Sequence, residues 1–435
     1  MGFNIPMSFT RRDFFKSSAL LGTVVLAGQS YAVDGEPRKE YLFPVLQGAT
    51  SFSATQINVM AVEDIVITVP RATVEVEKIV KEYSDWKAYR VLVTDLLPGE
   101  DYELQISSPE GVLLDTRIFS TLRPELAEVK IALASCMRDT KADFQAPMWK
   151  ALSDAKPDLL FMLGDNVYVD DTPSHPEKIG PDEEKIWRRY TETRMTLDLY
   201  HLPRLIPTLA TWDDHDFGLN NSYGNTPWKN PATTVFRTLY AQDAVMPEVA
   251  WGPGISTSFS AYGQRFYLMD NRSFRDLRYL GYDHWGKGQE NWLFDHLSVE
   301  KTPGWIFTGS QVFGGYRSGW SYEGTNARAF KNTLERLKKI EAPVLFGSGD
   351  VHYSEVMKLE DSLLGYNSIE ITSSSMHSNA REPEKGNQRR LASVGEFNFV
   401  MAMVRVLPAG LNLDLVSYGA GSRQYFDLQD ITIGR

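Results

Sequence analysis

The sequence predicts an α/β domain preceded by a small all-β sandwich, and three observations predict it. From Val129 onward, apolar strand-like runs alternate with helical stretches, the texture of a buried sheet under helices. From about Tyr41 to Leu122, helical periodicity is missing and short β-branched and aromatic runs are separated by turn residues, as in a sandwich. The chain has 435 residues, 43% hydrophobic and 23% charged, a globular composition long enough for one large domain and a small one.

The first element is a leader. Ser8-Phe9-Thr10-Arg11-Arg12-Asp13-Phe14-Phe15-Lys16 precedes an apolar run from Ala19 to Gly28 and then Ser30-Tyr31-Ala32. A twin arginine, a short apolar stretch and small residues before a cleavage point describe a twin-arginine export signal over residues 1–32. The apolar run is about half of what a bilayer span needs, so a helical anchor is the weaker alternative. The mature chain is expected to begin near Val33, without a membrane span, in the periplasm or secreted. Its first partner is then the twin-arginine export machinery, a route that suits a metal loaded before export.

The sandwich occupies residues 36–124. Val66–Val69, Tyr89–Val93, Tyr102–Ile106 and Thr116–Thr121 read as strands, with turns at Leu97-Pro98-Gly99-Glu100 and Pro109-Glu110-Gly111. Seven or so strands are expected in about eighty residues. Leu96 to Tyr102, followed by Phe119-Ser120-Thr121, resembles the closing strands of fibronectin-type modules, and Arg123-Pro124-Glu125 reads as the linker out.

The α/β domain is expected over residues 128–435, with one largely buried sheet covered on both faces. Its strand candidates are Lys130–Ala134, Leu159–Leu163, Pro207–Thr211, Phe266–Met269, Trp305–Thr308, Pro343–Gly347 and Ser368–Ile371. Helical stretches are Ala146–Asp154, Glu183–Asp198, Gln289–Glu300 and Ala327–Lys339, and Val400–Arg405 with Leu411–Ser417 forms a hairpin around Pro408-Ala409-Gly410.

The residues immediately after each strand point to function. The successive strand ends are Ser135-Cys136, Gly164-Asp165-Asn166-Val167-Tyr168, Trp212-Asp213-Asp214-His215-Asp216, Asp270-Asn271-Arg272 and Ser348-Gly349-Asp350-Val351-His352. Ligands of open α/β sheets collect outside the carboxyl ends of the strands. Five such ends here deliver a thiol, several carboxylates, a phenol and two imidazoles.

Each has a plain alternative. Cys136, the only cysteine, is either a buried small apolar residue or a functional thiolate. Asp165 is either a carboxylate bridging two ions or a helix N-cap. Tyr168 lies on its side if the loop makes a helical turn. Three acids and an imidazole in Asp213–Asp216 need a cation to coexist after an apolar strand. Asp350 and His352 point the same way if extended. Carboxylates suit calcium, magnesium or manganese, whereas phenolate with thiolate favours trivalent iron. The net charge of −11 argues against non-specific nucleic-acid or anionic-membrane binding.

Taken in order after Ser135-Cys136, the motifs Gly164–Tyr168, Trp212–Asp216 and Gly349–His352 resemble those of the PhoD-like alkaline phosphatases, a branch of the calcineurin-like metallophosphoesterases, and the match runs from about Val129 to Ser417. The resemblance implies a calcineurin-like α/β sandwich behind a fibronectin- or immunoglobulin-like one. It implies that Cys136, Asp165, Tyr168 and His352 hold Fe(3+), with Asp165 bridging to Ca(2+) or another divalent ion. Asp214 and Asp350, with Asn221 as a further candidate, complete the second site. His215 contacts the phosphate and protonates the leaving group, and Arg272 binds phosphate. The implied reaction is attack of a metal-activated hydroxide on a phosphate mono- or diester, the substrate being a small molecule, lipid or wall polymer. Two alternatives are a phospholipase D-type diesterase on the same scaffold and an exported binding protein with a degenerate site. A non-phosphate metallohydrolase would dispense with Arg272. Thr372–His377 follows another strand and is either site-facing or a turn, with His377 as the residue to test there.

Overall fold

The computed structural model describes residues 41–140, 142–171, 180–276, 283–299, 301–314 and 321–434. The predicted leader, with Arg11 and Arg12, lies outside them. Among the described residues, no helix is long and apolar enough to cross a membrane.

Strands dominate residues 45–120 because β-branched and aromatic side chains alternate there with polar ones. β1 (Val45–Thr50), β2 (Thr55–Ala61), β4 (Thr73–Ile79) and β5 (Lys87–Thr94) pair antiparallel in the order β1-β2-β5-β4. β3 (Val66–Thr68), β6 (Asp101–Ser107) and β7 (Leu113–Ser120) form a second antiparallel sheet. Val59 and Val91 of one sheet pack with Leu104, Ile106 and Phe119 of the other. The opposite face of the first sheet, through Leu46, Met60 and Ala88, joins the core of the α/β region. This covering explains why β1 and β2 are buried at every position and do not alternate.

Two further sheets replace the single one expected. The first has the order β10-β9-β8-β19-β20-β21. β8 (Val129–Ala134), β9 (Leu159–Leu163) and β10 (Thr208–Thr211) run parallel. β19 (Phe399–Leu407), β20 (Gly410–Tyr418) and β21 (Gln424–Gly434) extend it antiparallel, so the predicted tail hairpin is three strands. The second sheet has the order β11-β12-β13-β14-β15-β17-β16-β18. Its parallel centre is β13 (Gln264–Leu268), β14 (Gly304–Phe307), β15 (Val344–Ser348) and β17 (Ile369–Thr372). β11 (Val249–Trp251), β12 (Thr257–Ala261), β16 (Ser354–Lys358) and β18 (Arg390–Val394) flank it antiparallel.

The two sheets stack face to face. Leu133, Phe161 and Leu209 meet Phe266, Phe307 and Ile371 in one apolar layer. Helices Ala142–Ala155, Glu183–Thr196 and Lys229–Leu239 cover the outer face of the first sheet through Trp149, Trp187 and Phe236. Helices Lys287–Val299 and Ala327–Leu337 cover the second through Leu293, Phe294 and Leu334. Each sheet is therefore buried on both faces, but by one helical layer and one sheet. Continuous apolar runs such as Leu159–Leu163 cannot distinguish these two coverings.

Candidate active site

The stacking brings the carboxyl ends of β8, β9 and β10 opposite those of β13, β15 and β17. Gly349 permits the approach: a Cβ there would lie 2.5 Å from the Leu163 carbonyl oxygen and from Ser135 Oγ. Gly164, at φ +84°, turns the chain beside the Asp213 backbone in the same way. Cys136, Asp165, Asn221, Asp350 and His352 all adopt φ between 52° and 70°. Left-handed backbone is costly for residues with a Cβ and persists where the surroundings over-determine it. Five such residues within one set of loops mark a site held against local preference.

Three trios of ligand atoms result, each within 4.8 Å: Cys136, Asp165 and His352; Asp165, Asp214 and His215; Asp213, Asp214 and Asp350. Asp165 is common to the first two and Asp214 to the last two. The Cys136 thiol donates to Asp165 Oδ2 at 3.5 Å, and the Tyr168 hydroxyl donates to the same oxygen at 3.3 Å. Tyr168 reaches it from a turn without a helix, and the helix N-cap alternative for Asp165 falls with that. Asp350 and His352 do not share a trio, because neither is extended. His352 Nδ1 lies 2.7 Å from the Asn379 carbonyl, which orients its ring.

The remaining acids separate by their bonds. Asp216 accepts from the amides of Asn166, Val167 and Asp213 at 2.9–3.0 Å, so its carboxylate is spent on the loops. Asp213 accepts from Arg272 Nε and from Asn271 Nδ2. Asp214 accepts from the Asn221 amide. Asn221 itself is exposed and joins the site through its backbone. Arg272 is buried, with Nη2 at 3.8 Å from Asp214 and 3.4 Å from Ser310 Oγ. It is thus neither a surface salt bridge nor part of the open cleft wall.

Asp170 was missed in the sequence, as was Ser378, one residue past the Thr372–His377 run singled out there. Asp170 Oδ1 lies 2.6 Å from His215 Nδ1, while its Oδ2 accepts from the Asn220 amide. Ser374 Oγ lies 3.1 Å from the Cys136 sulfur and Ser378 Oγ 3.0 Å from the Tyr168 hydroxyl. The Thr372–His377 run therefore does face the site, but the His377 ring packs edge-on against Trp149 and joins no ligand trio. A polar cleft of about 250 Å³ opens over this floor, lined by Arg138, Tyr168, Asp170, His215, His352 and Arg381 among others.

The electrostatics are those of anions short of a cation. Burial, then Asp213 and Asp214, push Asp350 up to about 8. Burial raises Asp165, Cys136 and Tyr168 well above their ordinary values. Burial alone would lower His215, yet Asp165 and the bond to Asp170 raise it to about 10. Burial lowers His352 to about 4, leaving a neutral imidazole. Asp165 Oδ1 is buried without a hydrogen-bond partner. Such an orphaned oxygen among crowded carboxylates fits a bound cation, which would satisfy both. Thiol, imidazole and carboxylates in three overlapping trios, with the Tyr168 phenol beside them, offer candidate ligands for more than one ion.

A model of the PhoD-like phosphatase family matches residues 131–400, more than half of the chain. A solved structure of PhoD superposes with a TM-score of 0.64 at 17% identity, covering 90% of this chain and 94% of that one. GAP50, the anchor in the inner membrane complex of Plasmodium, aligns at a TM-score of 0.45 and 14% identity over 71% of this chain and 90% of its own. No curated protein matches.

Proposed function

Because the chain belongs to the PhoD-like phosphatase family, we propose that it is an exported, metal-dependent hydrolase of phosphate mono- and diesters. The observation that carries this reading is the overlap of three ligand trios through Asp165 and Asp214. In this reading Cys136, Asp165, Tyr168 and His352 hold ferric iron, matching thiolate and phenolate to a trivalent ion. Asp165, Asp214 and Asp350, with Asn221 nearby, hold calcium or another divalent ion. Cations bound there supply positive charge at the phosphoryl group and acidify a water.

The chain's own groups do the rest. His215, held through Nδ1 by Asp170, donates a proton to the leaving oxygen. Arg272, fixed through Nε by Asp213 and with Nη2 3.8 Å from Asp214, is in this reading the group that binds a phosphate oxygen from beneath the cleft. The proposal extends to residues 1–32 as a twin-arginine signal, to a periplasmic or secreted location, and to residues 36–124 as a fibronectin- or immunoglobulin-like domain. Residues 128–435 are then a calcineurin-like catalytic domain. The test compares a bis-aryl phosphodiester with a mono-aryl phosphate before and after Asp165→Asn. Loss of both activities by about 100-fold or more is expected; retention of both would remove Asp165 from the reaction.

A further inference from the structure

Cys136 and Tyr168 sit on separate loops that meet beneath a buried ion pair. The Cys136 loop runs out of β8 as Met137-Arg138-Asp139, and the Tyr168 loop runs out of β9. Near the sheet the loops are joined by their own backbones: the Cys136 amide donates to the Gly164 carbonyl at 3.2 Å and the Met137 amide to the Asp165 carbonyl at 2.8 Å. Farther out, Arg138 and Thr140 of the first loop bond Asp171 of the second at the partly exposed rim, and between that rim and the zipper a buried side chain from neither loop spans the two. Arg189, 3% exposed on helix Glu183–Thr196, donates through Nε to the Tyr168 carbonyl at 3.1 Å. Its Nη2 donates to both Asp139 oxygens at 2.8 and 2.9 Å, and its Nη1 to Glu192 at 2.6 Å. Thr193, one turn along, donates to Asp139 Oδ2 at 3.1 Å. The helix is anchored in the core by Ile186, Trp187 and Tyr190.

We infer that Arg189 is a positioning residue that clamps the Cys136 loop to the Tyr168 loop, setting the thiol and phenol at a common ligand distance before any ion binds. One planar fork spans a carbonyl on one loop and a carboxylate on the other, which a lysine cannot do. The pair is buried, so removing one partner leaves an unpaired group and the loop opens to satisfy it. The Tyr168 carbonyl adjoins the Val169 amide, which donates to the His215 carbonyl at 3.0 Å. Release of the clamp therefore also loosens the histidine loop. The inference rests on reading Cys136 and Tyr168 as parts of one site.

Cys136 is the only cysteine and fully buried, so its rate of reaction with a thiol reagent reports opening of this loop. The experiment uses the whole purified protein freed of metal by chelation, with melting temperature measured alongside. Arg189→Met is expected to raise the thiol rate about tenfold or more, as local opening becomes cheaper. Arg189→Lys should stay nearly as fast, and Asp139→Asn should accelerate it too, which covers failure of the first variant to fold. Arg117→Met, breaking the buried Asp115–Arg117 pair in the N-terminal sheets, should lower the melting temperature without that acceleration. A thiol rate unchanged in Arg189→Met and Asp139→Asn, or one that tracks melting temperature equally in Arg117→Met, overturns the clamp. Absence of iron in the untreated protein would instead count against the proposed function, leaving the thiol rates to judge the clamp.

Discussion

His215 stands between Asp170 on one ring nitrogen and the Asp165–Asp214 carboxylates on the other side. Its ring lies on that of Tyr168, with centroids 4.2 Å apart. A general acid must keep its proton at the working pH, and the surrounding carboxylates raise His215 to about 10 after overcoming burial. In the metal-loaded enzyme, cations on Asp165 and Asp214 offset their share of that rise, and the bond to Asp170 is the part that still holds the proton on His215. Asp170→Asn removes one of the raising groups, so the alkaline limb of the pH–rate profile should move down by about one unit or more. A limb that stays in place would take His215 out of the proton transfer. At this scale the sequence was partly legible. Asp213-Asp214-His215-Asp216 after an apolar strand marked a site, but which acid was spent on backbone amides depended on the Asn166 and Val167 loop packed against Asp216. Asp170 left no signal of its own. It lies 45 positions from His215, and only the pairing of β9 with β10 brings their loops together.

The elements explain why such crowded loops can exist. Parallel strands β8, β9 and β10 end level with one another by register, Ala134 opposite Met162 and Leu163 opposite Thr211. On the facing sheet, Glu370 of β17 accepts from the amides of Val312 and Phe313 and from Ser348 Oγ, tying the loop after β14 to the end of β15. The two rims then close on glycines. Gly349→Ala would drive a Cβ against Leu163 and Ser135, and overpacking of this kind costs about 1–3 kcal/mol. The expected result is a lowered melting temperature together with reduced metal content. A variant with full metal content would show that the rims have more room than their contacts allow. Strand ends were read well from sequence because apolar runs stop abruptly at polar clusters. The division into two sheets was not, since burial by a helix and burial by a second sheet leave the same apolar run. The last strand, β21, escaped because its exposed edge alternates weakly in hydrophobicity.

Across the whole molecule, charge and stability are linked through the site. In the metal-free protein, Asp350 at about 8 and His215 at about 10 hold protons that the unfolded chain releases near 3.8 and 6.5. Burial holds Asp216 and Glu370 at about 7 in the same sense. Above pH 6.5 the folded state therefore binds more protons than the unfolded one, and stability falls as pH rises from 6.5 to 8. Below 6.5, His352 at about 4 and His377 at about 3, both lowered by burial, act in the opposite sense. Cations among the carboxylates replace the missing positive charge and bind only the folded chain. Chelation should therefore lower the melting temperature more at pH 8 than at pH 6.5; an equal loss at both would mean that the carboxylates are not the ligands. The claim on which everything turns is that one thiol, one phenol, one imidazole and shared carboxylates hold ions jointly. Elemental analysis with a visible spectrum of the untreated protein tests it most directly. Iron together with calcium is expected, with a visible absorption band that Tyr168→Phe removes. A colourless protein carrying only zinc would contradict it.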